Sequence, residues 1–300
     1  MPLPVSRSAS PLRSRLPGDQ RRILPLTAVA TLLLISGRAS AADLAASTSA
    51  TTASRPAASA SGTDFGQFAF VTDKLAEWKV VLGGGAMIAP KYEGSDEYEV
   101  SPVPFVSASF GDLVKLDPRG LSVNLYKADG FTFSGRLGYD GGRQQDDSDH
   151  LRGLGDIDAG AVVGAKVAYA IGQVELYAAL NRTIGGSDGL EAKFGVDASF
   201  RYERMLFTAG MSGTWSDDNY MQAYFGVTPT QSALSGLPVY TIGAGLKRVD
   251  FNVSATYMLT DHWLIRGQAG LGYLIGDAAD SPIVESKTQP SGILAIGYKF

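Results

Sequence analysis

Residues Pro290–Phe300 read PSGILAIGYKF. Leu294, Ile296, Tyr298 and Phe300 share one parity, while the small or polar Ala295, Gly297 and Lys299 share the other. Alternation at period two marks a β-strand with one apolar face. An apolar strand ending on an aromatic residue leaves an open edge, and open edges invite aggregation. A closed barrel removes that edge by pairing the last strand with the first.

Earlier segments repeat the pattern. Val80, Leu82, Ala86 and Ile88 alternate, as do Leu121, Val123 and Leu125, then Phe131, Phe133, Leu137 and Tyr139. Runs at 163–171, 174–180 and 205–215 follow the same rule. The clearest run sets Leu190, Ala192, Phe194, Val196, Ala198, Phe200 and Tyr202 against Glu191, Lys193, Gly195, Asp197, Ser199, Arg201 and Glu203. Tyr240, Ile242, Ala244 and Leu246 read as a further strand, followed by 251–259 and 263–275. From residue 42 onward no run has a sustained helical period or the length of a membrane helix.

Strands of about 10–14 residues exceed the ~5–6 usual in soluble sheets and match the ~9–11 that a tilted strand needs to cross a hydrocarbon layer. Tyr139, Tyr202, Trp215, Tyr257 and Trp263 fall near strand ends, where aromatic girdles form. Minimal turns at Ile171-Gly172, Glu203-Arg204 and Thr260-Asp261 alternate with longer polar loops at 141–157, 184–189 and 276–290. The expected fold is therefore all-β, a transmembrane antiparallel β-barrel of about 12 strands within a range of about 10–14. Arg136, Lys166, Glu175, Lys193, Asp197, Arg201 and Arg266 lie on the polar parity and are expected to face the lumen.

Ahead of this pattern, Arg21-Arg22 precedes the apolar run ILPLTAVATLLLIS and the small residues Ala39-Ser40-Ala41. A basic flank, a short apolar core and a small-x-small site predict a signal peptide over 1–41, cleaved between Ala41 and Ala42. The core is too short for a membrane anchor. Residues 42–77 are rich in Ala, Ser and Thr and read as a disordered periplasmic linker. Within it, FGQFAF at 65–70 reads as either a short strand or an inward-tucked segment. The barrel is expected over 78–300.

Composition narrows the chemistry. The chain has no cysteine and two histidines, which removes disulfides and thiolate sites and leaves little for a histidine metal cluster. Without residues 1–41 it keeps 20 of its 26 basic and 29 of its 30 acidic residues, a net charge of −9, and nucleic acid is not an expected partner. Gly185-Gly186-Ser187-Asp188-Gly189 fits G-x-S-x-G, but that motif needs a strand-to-helix turn and here it joins two strands. His150 and His262 read as solvated polar residues, and Asp146, Asp147 and Asp149 as an acidic surface loop. Glu93, Asp96, Glu97 and Glu99 read the same way. No enzyme activity, cofactor or metal is expected.

Several segments carry a more specific likeness. They are Pro90-Lys91-Tyr92-Glu93-Gly94-Ser95-Asp96 followed by Pro102-x-Pro104; Trp215-Ser216-Asp217-Asp218-Asn219-Tyr220 running into Tyr224-Phe225-Gly226-Val227-Thr228; Ser235-Gly236-Leu237-Pro238-x-Tyr240; Gly276–Val284; and the terminal Tyr298-x-Phe300. In order and spacing these resemble the MipA/OmpV family of Gram-negative outer-membrane proteins. The resemblance implies a non-enzymatic scaffold among outer-membrane lipids, linking a murein-hydrolysing lytic transglycosylase to a murein-synthesising bifunctional penicillin-binding protein. It also implies that Ile296, Tyr298 and Phe300 form the signal read by the barrel assembly machinery. Short turns offer little area for such contacts, since a stable interface buries about 1,200–2,000 Å². The charged inner face leaves an alternative, a narrow diffusion channel for small solutes.

Overall fold

The computed structural model describes residues 79–118 and 120–300; the expected signal peptide, its cleavage point at Ala41–Ala42 and the linker over 42–77 lie outside the described residues. The strands are β1 (Lys79–Pro90), β2 (Tyr98–Phe110), β3 (Val114–Asp117), β4 (Gly120–Ala128), β5 (Phe131–Asp140), β6 (Gly160–Ile171), β7 (Val174–Ile184), β8 (Leu190–Tyr202), β9 (Met205–Ser216), β10 (Gly245–Met258), β11 (Trp263–Leu274) and β12 (Thr288–Lys299). Each pairs antiparallel with its sequence neighbours, and β12 closes the ring on β1, from Val81 opposite Lys299 to Ile88 opposite Gly292. Among the described residues no helix is long and apolar enough to cross a membrane; the strands are the long elements.

Alternation sorts the side chains to two environments. Leu82, Ile88, Val100, Phe194, Phe200, Phe251, Leu294 and Ile296 point outward and are exposed. Thr208, Ser212, Thr214, Asn252, Ser254, Thr256, Arg266 and Gln268 point inward and are buried. Apolar outside and polar inside suits hydrocarbon around the wall, with backbone hydrogen bonds satisfied inside the closed ladder.

One end of the barrel carries the tight connections. At Asp129 (φ 51°) and Gly130 (φ 82°) two successive left-handed residues join β4 to β5, the backbone of a type I′ turn. An aromatic group gathers at this turn end: Tyr298 meets Trp263 at 5.2 Å and Phe300 at 4.9 Å between ring centroids, and stacks with His262 at 5.6 Å. The other end carries long connections over 91–97, 141–159, 185–189, 217–244 and 275–287. In outer-membrane barrels short turns face the periplasm and long loops the exterior.

The strands differ from the sequence reading in three places, the first being the short β3, whose 4 residues are too few for alternation to declare itself. β2 holds Pro102 and Pro104, which lack the N–H of a ladder donor and so hide a strand from propensity. Among the described residues β2 pairs with β3 only through Ala108–Phe110, so both prolines lie where no ladder partner on that side needs their N–H. Conversely, Tyr240–Ala244 is not a strand; Tyr240 only bridges Val227, and β10 begins at Gly245. Tyr240 and Ile242 alternate because they pack into a loop core described below.

Part of the inner wall is apolar. Val81, Phe105 and Leu264 cluster near the turn end, with Met258 against them. Met87, Ala89, Ile293 and Ala295 cluster farther up, with Val103 against them. All these residues belong to the wall itself, mainly to β12, β1 and β2, and they form a stripe in a lumen otherwise lined by hydroxyl, amide and charged groups.

Candidate functional site

The long connections fold together over the loop end. Between β9 and β10 the chain forms α1 (Asp218–Phe225) and α2 (Pro229–Ser235), and α3 (Gly276–Ala279) follows β11. Asp217 caps α1 by accepting the Tyr220 N–H at 3.0 Å. Thr228 and Gln231 form a capping box on α2, Pro229 occupies its first turn, and Gly236 ends it in the left-handed region at φ 79°. Those residues were the available signal for α2. Its 7 residues are too few for a helical period to declare itself.

Tyr220, Met221, Tyr224 and Phe225 place one face of α1 inward, onto Ile157, Ile242, Leu274, Ala278 and Ala279. A second cluster joins Tyr92, Leu151, Leu154, Val227 and Ile283. Four connections thus share a hydrophobic core, and each large apolar side chain buried in it contributes roughly 1.5–3 kcal/mol. Polar clasps add to it. Tyr92 donates to Glu285 at 2.8 Å, Arg143 donates to the Tyr224 carbonyl at 2.8 Å, and Ser281 donates to the Phe225 carbonyl at 2.6 Å. His150 joins them, with Nε2 3.0 Å from the Pro282 carbonyl and Nδ1 3.5 Å from Glu285, so it is a clasp between loops rather than a solvated residue. Burial and the neighbouring Glu285 push the Tyr92 phenol well above its ordinary range.

Beneath α1 lies a buried ion cluster. Lys247 Nζ sits 2.9 Å from Glu93 and 2.9 Å from Glu191. Arg248 reaches Glu93 at 3.5 Å and Asp250 at 2.6 Å. Lys247 Nζ also lies 3.9 Å from the centre of the Tyr220 ring, whose hydroxyl donates to Glu93 at 3.4 Å. Two adjacent cations point inward because a bulge breaks the β9–β10 register between Leu246 and Arg248. Glu93, expected to be a solvated loop residue, is instead buried, with 2% of its side chain exposed. Burial alone would raise its pKa, but Lys247 and Arg248 overcome that and hold it below the ordinary carboxylate range. Burial and the nearby carboxylates push the Tyr220 phenol far up, so it stays a neutral donor.

The cation over the Tyr220 ring is desolvated, which makes the contact worth about 2 kcal/mol or more. Tyr220→Leu is accordingly expected to weaken the cap by about 2 kcal/mol, read as faster amide exchange across 218–225 with the strand amides unchanged.

The polar-parity residues take varied positions. Lys166 and Glu175 pair at 2.8 Å across β6 and β7, and Lys166 also lies 4.7 Å from the Tyr177 ring. Asp197 and Arg266 are buried, Arg136 and Lys193 are half-buried, and Arg201 is exposed at the turn end. None of them belongs to the Glu93 cluster. Ser187 accepts the Gly189 N–H at 3.3 Å in the connection between β7 and β8. Asp147 accepts the Gln144 N–H at 2.9 Å and Asp149 pairs with Arg152 at 2.9 Å, both local loop contacts. Among the described residues no group of three or more His, Asp or Glu is arranged to hold a metal. Ile296, Tyr298 and Phe300 lie along the outer side of the closing strand.

Residues 82–300 match the family described as MltA-interacting protein MipA. The MltA-interacting protein of Escherichia coli (strain K12) is 26% identical over 238 residues, covering 75% of this chain and 92% of that protein. The E. coli protein YiaT is 23% identical over 118 residues, 39% of this chain and 47% of its own length. Among solved structures, OprD from Pseudomonas aeruginosa is 10% identical over 66% of this chain and 55% of its own, with a TM-score of 0.32. OprB from Pseudomonas putida is 15% identical over 64% of this chain and 50% of its own, with a TM-score of 0.33. With the family match spanning most of its length, the chain belongs to the MipA family of outer-membrane β-barrel proteins.

Proposed function

We propose that this barrel is a non-enzymatic scaffold that holds a murein-cleaving lytic transglycosylase at the inner surface of the outer membrane. The observation that carries this reading is the family match, together with a relative named for its interaction with MltA and aligned over 92% of that relative's length. The cap supports it. A loop end filled by a shared hydrophobic core is a poor mouth for solute passage, which favours the scaffold over the narrow diffusion channel. The turn end then becomes the working side, and a bifunctional penicillin-binding protein is the second partner of the same assembly. On this reading Ile296, Tyr298 and Phe300 serve as the barrel-assembly signal, and a signal peptide over 1–41 brings the chain to the periplasm.

Contact with an enzyme needs more area than the two-residue connections at 172–173 and 203–204 provide. The barrel rim and the segment before β1 supply the rest. The test is retention: the full mature protein, immobilised in detergent, should hold a lytic transglycosylase from a periplasmic extract. Retention no greater than on an unrelated barrel overturns the reading.

A further inference from the structure

The outer wall of the barrel is apolar by alternation, and one residue breaks the rule. Among the described residues, Arg182 on β7 is the one charged side chain on the outward parity of the strands. β7 alternates strictly here: Leu180, Arg182 and Ile184 are exposed, while Asn181 and Thr183 turn inward. Its rung neighbours are Val163 on β6 and Leu190 on β8. The guanidinium therefore stands in an apolar belt near the loop end of its strand, with 46% of the side chain exposed.

A cation on a lipid-facing wall is costly at the bilayer midplane, and the cost fades toward the interface. There a long side chain can lift its charge to headgroup level. Arg182 has a protein partner, Asp217, but Nη1 lies 3.5 Å from it, beyond the about 2.7–2.9 Å of a strong charge-assisted bond. That loose contact leaves most of the five-donor fork available.

The surroundings define what would meet the fork. A planar guanidinium binds two phosphate oxygens at once. Val163, Leu180, Ile184 and Leu190 beside it favour hydrocarbon. A free anion gains nothing from that belt, and the loops at this end, with many more acidic than basic residues, repel it. An anionic amphiphile gains from both the cation and the belt. The loop end faces the exterior, so the amphiphile belongs to the outer leaflet.

We propose that Arg182 binds the phosphate of a phosphorylated glycolipid in the outer leaflet, with the acyl chains lying along the apolar positions of β6–β8. Asp217 also caps α1, so the lipid sits one ion pair away from the loop cap. The site does not depend on which enzyme the turn end holds.

The test uses the full mature protein, folded in detergent micelles, with diphosphorylated lipid A as the probe and native mass spectrometry as the readout. Arg182→Leu should lower retention of the lipid about tenfold, the loss of one charge-assisted contact. Replacing a lipid-facing charge with leucine does not threaten folding, and heat-dependent gel mobility verifies it. Asp217→Asn should retain the lipid at least as well as the parent, since asparagine still caps α1 while the competing carboxylate is gone. The parent should retain dephosphorylated lipid A about as poorly as Arg182→Leu retains the phosphorylated form, and an equal concentration of inorganic phosphate should not displace the bound lipid. Undiminished retention by Arg182→Leu overturns the proposal. So does an equal loss in Asp217→Asn, which would mean that the effect travels through the cap. Equal binding of the dephosphorylated lipid, or full displacement by inorganic phosphate, overturns it as well.

Discussion

Glu93→Ala is expected to cost about 3 kcal/mol, because removing the carboxylate shared by two buried cations leaves both of them less fully compensated. Glu93 is the residue on which the cluster converges: it meets both Lys247 and Arg248, and it accepts from Tyr220. Without it, Lys247 keeps Glu191 and Arg248 keeps Asp250, so the two cations stay in place with fewer carboxylates around them. The Tyr220 hydroxyl also loses its acceptor while remaining buried under α1. Damage should therefore spread from the cluster into the cap. Amide exchange over 218–225 and 276–285 should accelerate, and the cap should become sensitive to protease while the barrel keeps its heat-dependent mobility. A Glu93→Ala protein with native exchange in both segments would show that the cap stands on its hydrophobic core alone.

The same carboxylate sets a pH dependence. Its folded pKa lies below the ordinary 4.5, because Lys247 and Arg248 outweigh the burial that by itself would raise it. A depressed folded value contributes stability that is fully present above the ordinary pKa and is lost as pH falls through the folded one. The cap should thus be insensitive to pH near neutrality and loosen only in acid below the carboxylate range.

The barrel was legible because membrane strands obey one local rule, alternation, and the chain repeats it from Val80 to Phe300. Where the rule was suspended the reading slipped. Pro102 and Pro104 concealed β2, and Tyr240 with Ile242 imitated a strand while packing into the cap. The cap itself was out of reach, since its helices α1, α2 and α3 are 8, 7 and 4 residues long and its core joins four separate connections. Glu93 shows the limit most plainly. Its sequence neighbours Asp96, Glu97 and Glu99 argue for a solvated acidic loop, whereas its partner Lys247 is 154 residues away. The trace that was available is the Lys247-Arg248 pair, two adjacent cations that break alternation where the bulge turns both inward. A local pattern reports the face of a strand; it does not report which loop folds back onto that face.

The second large effect is expected at the seam. Gly83, Gly84 and Gly85 lie in β1 opposite Gly297, Ile296 and Ala295 of β12, where the first and last strands close the ring. The two backbones approach so closely that a Cβ on Gly83 would meet the Ile296 carbonyl oxygen and lie 2.7 Å from the Gly297 Cα. A Cβ on Gly85 would meet the Leu294 carbonyl oxygen and lie 2.8 Å from the Ala295 Cα. Gly84 differs, its nearest neighbour being the Val103 carbonyl oxygen at 4.0 Å. Neither obstacle at Gly83 or Gly85 is a side chain that can rotate away, so a methyl group must push the strands apart and stretch the ladder. Overpacking of this kind costs about 1–3 kcal/mol per site. At the seam the loss also exposes unpaired N–H and C=O groups to hydrocarbon, at several kcal/mol for each unsatisfied group. Gly85→Ala, and more so Gly83→Ala with Gly85→Ala, should sharply reduce the folded, heat-modifiable fraction and lower the urea midpoint. Gly84→Ala should behave as the parent does, since its added methyl group meets only ordinary space. Equal folding of Gly84→Ala and Gly85→Ala would mean that the seam tolerates a wider strand spacing, and that closure of the ring does not depend on this glycine run.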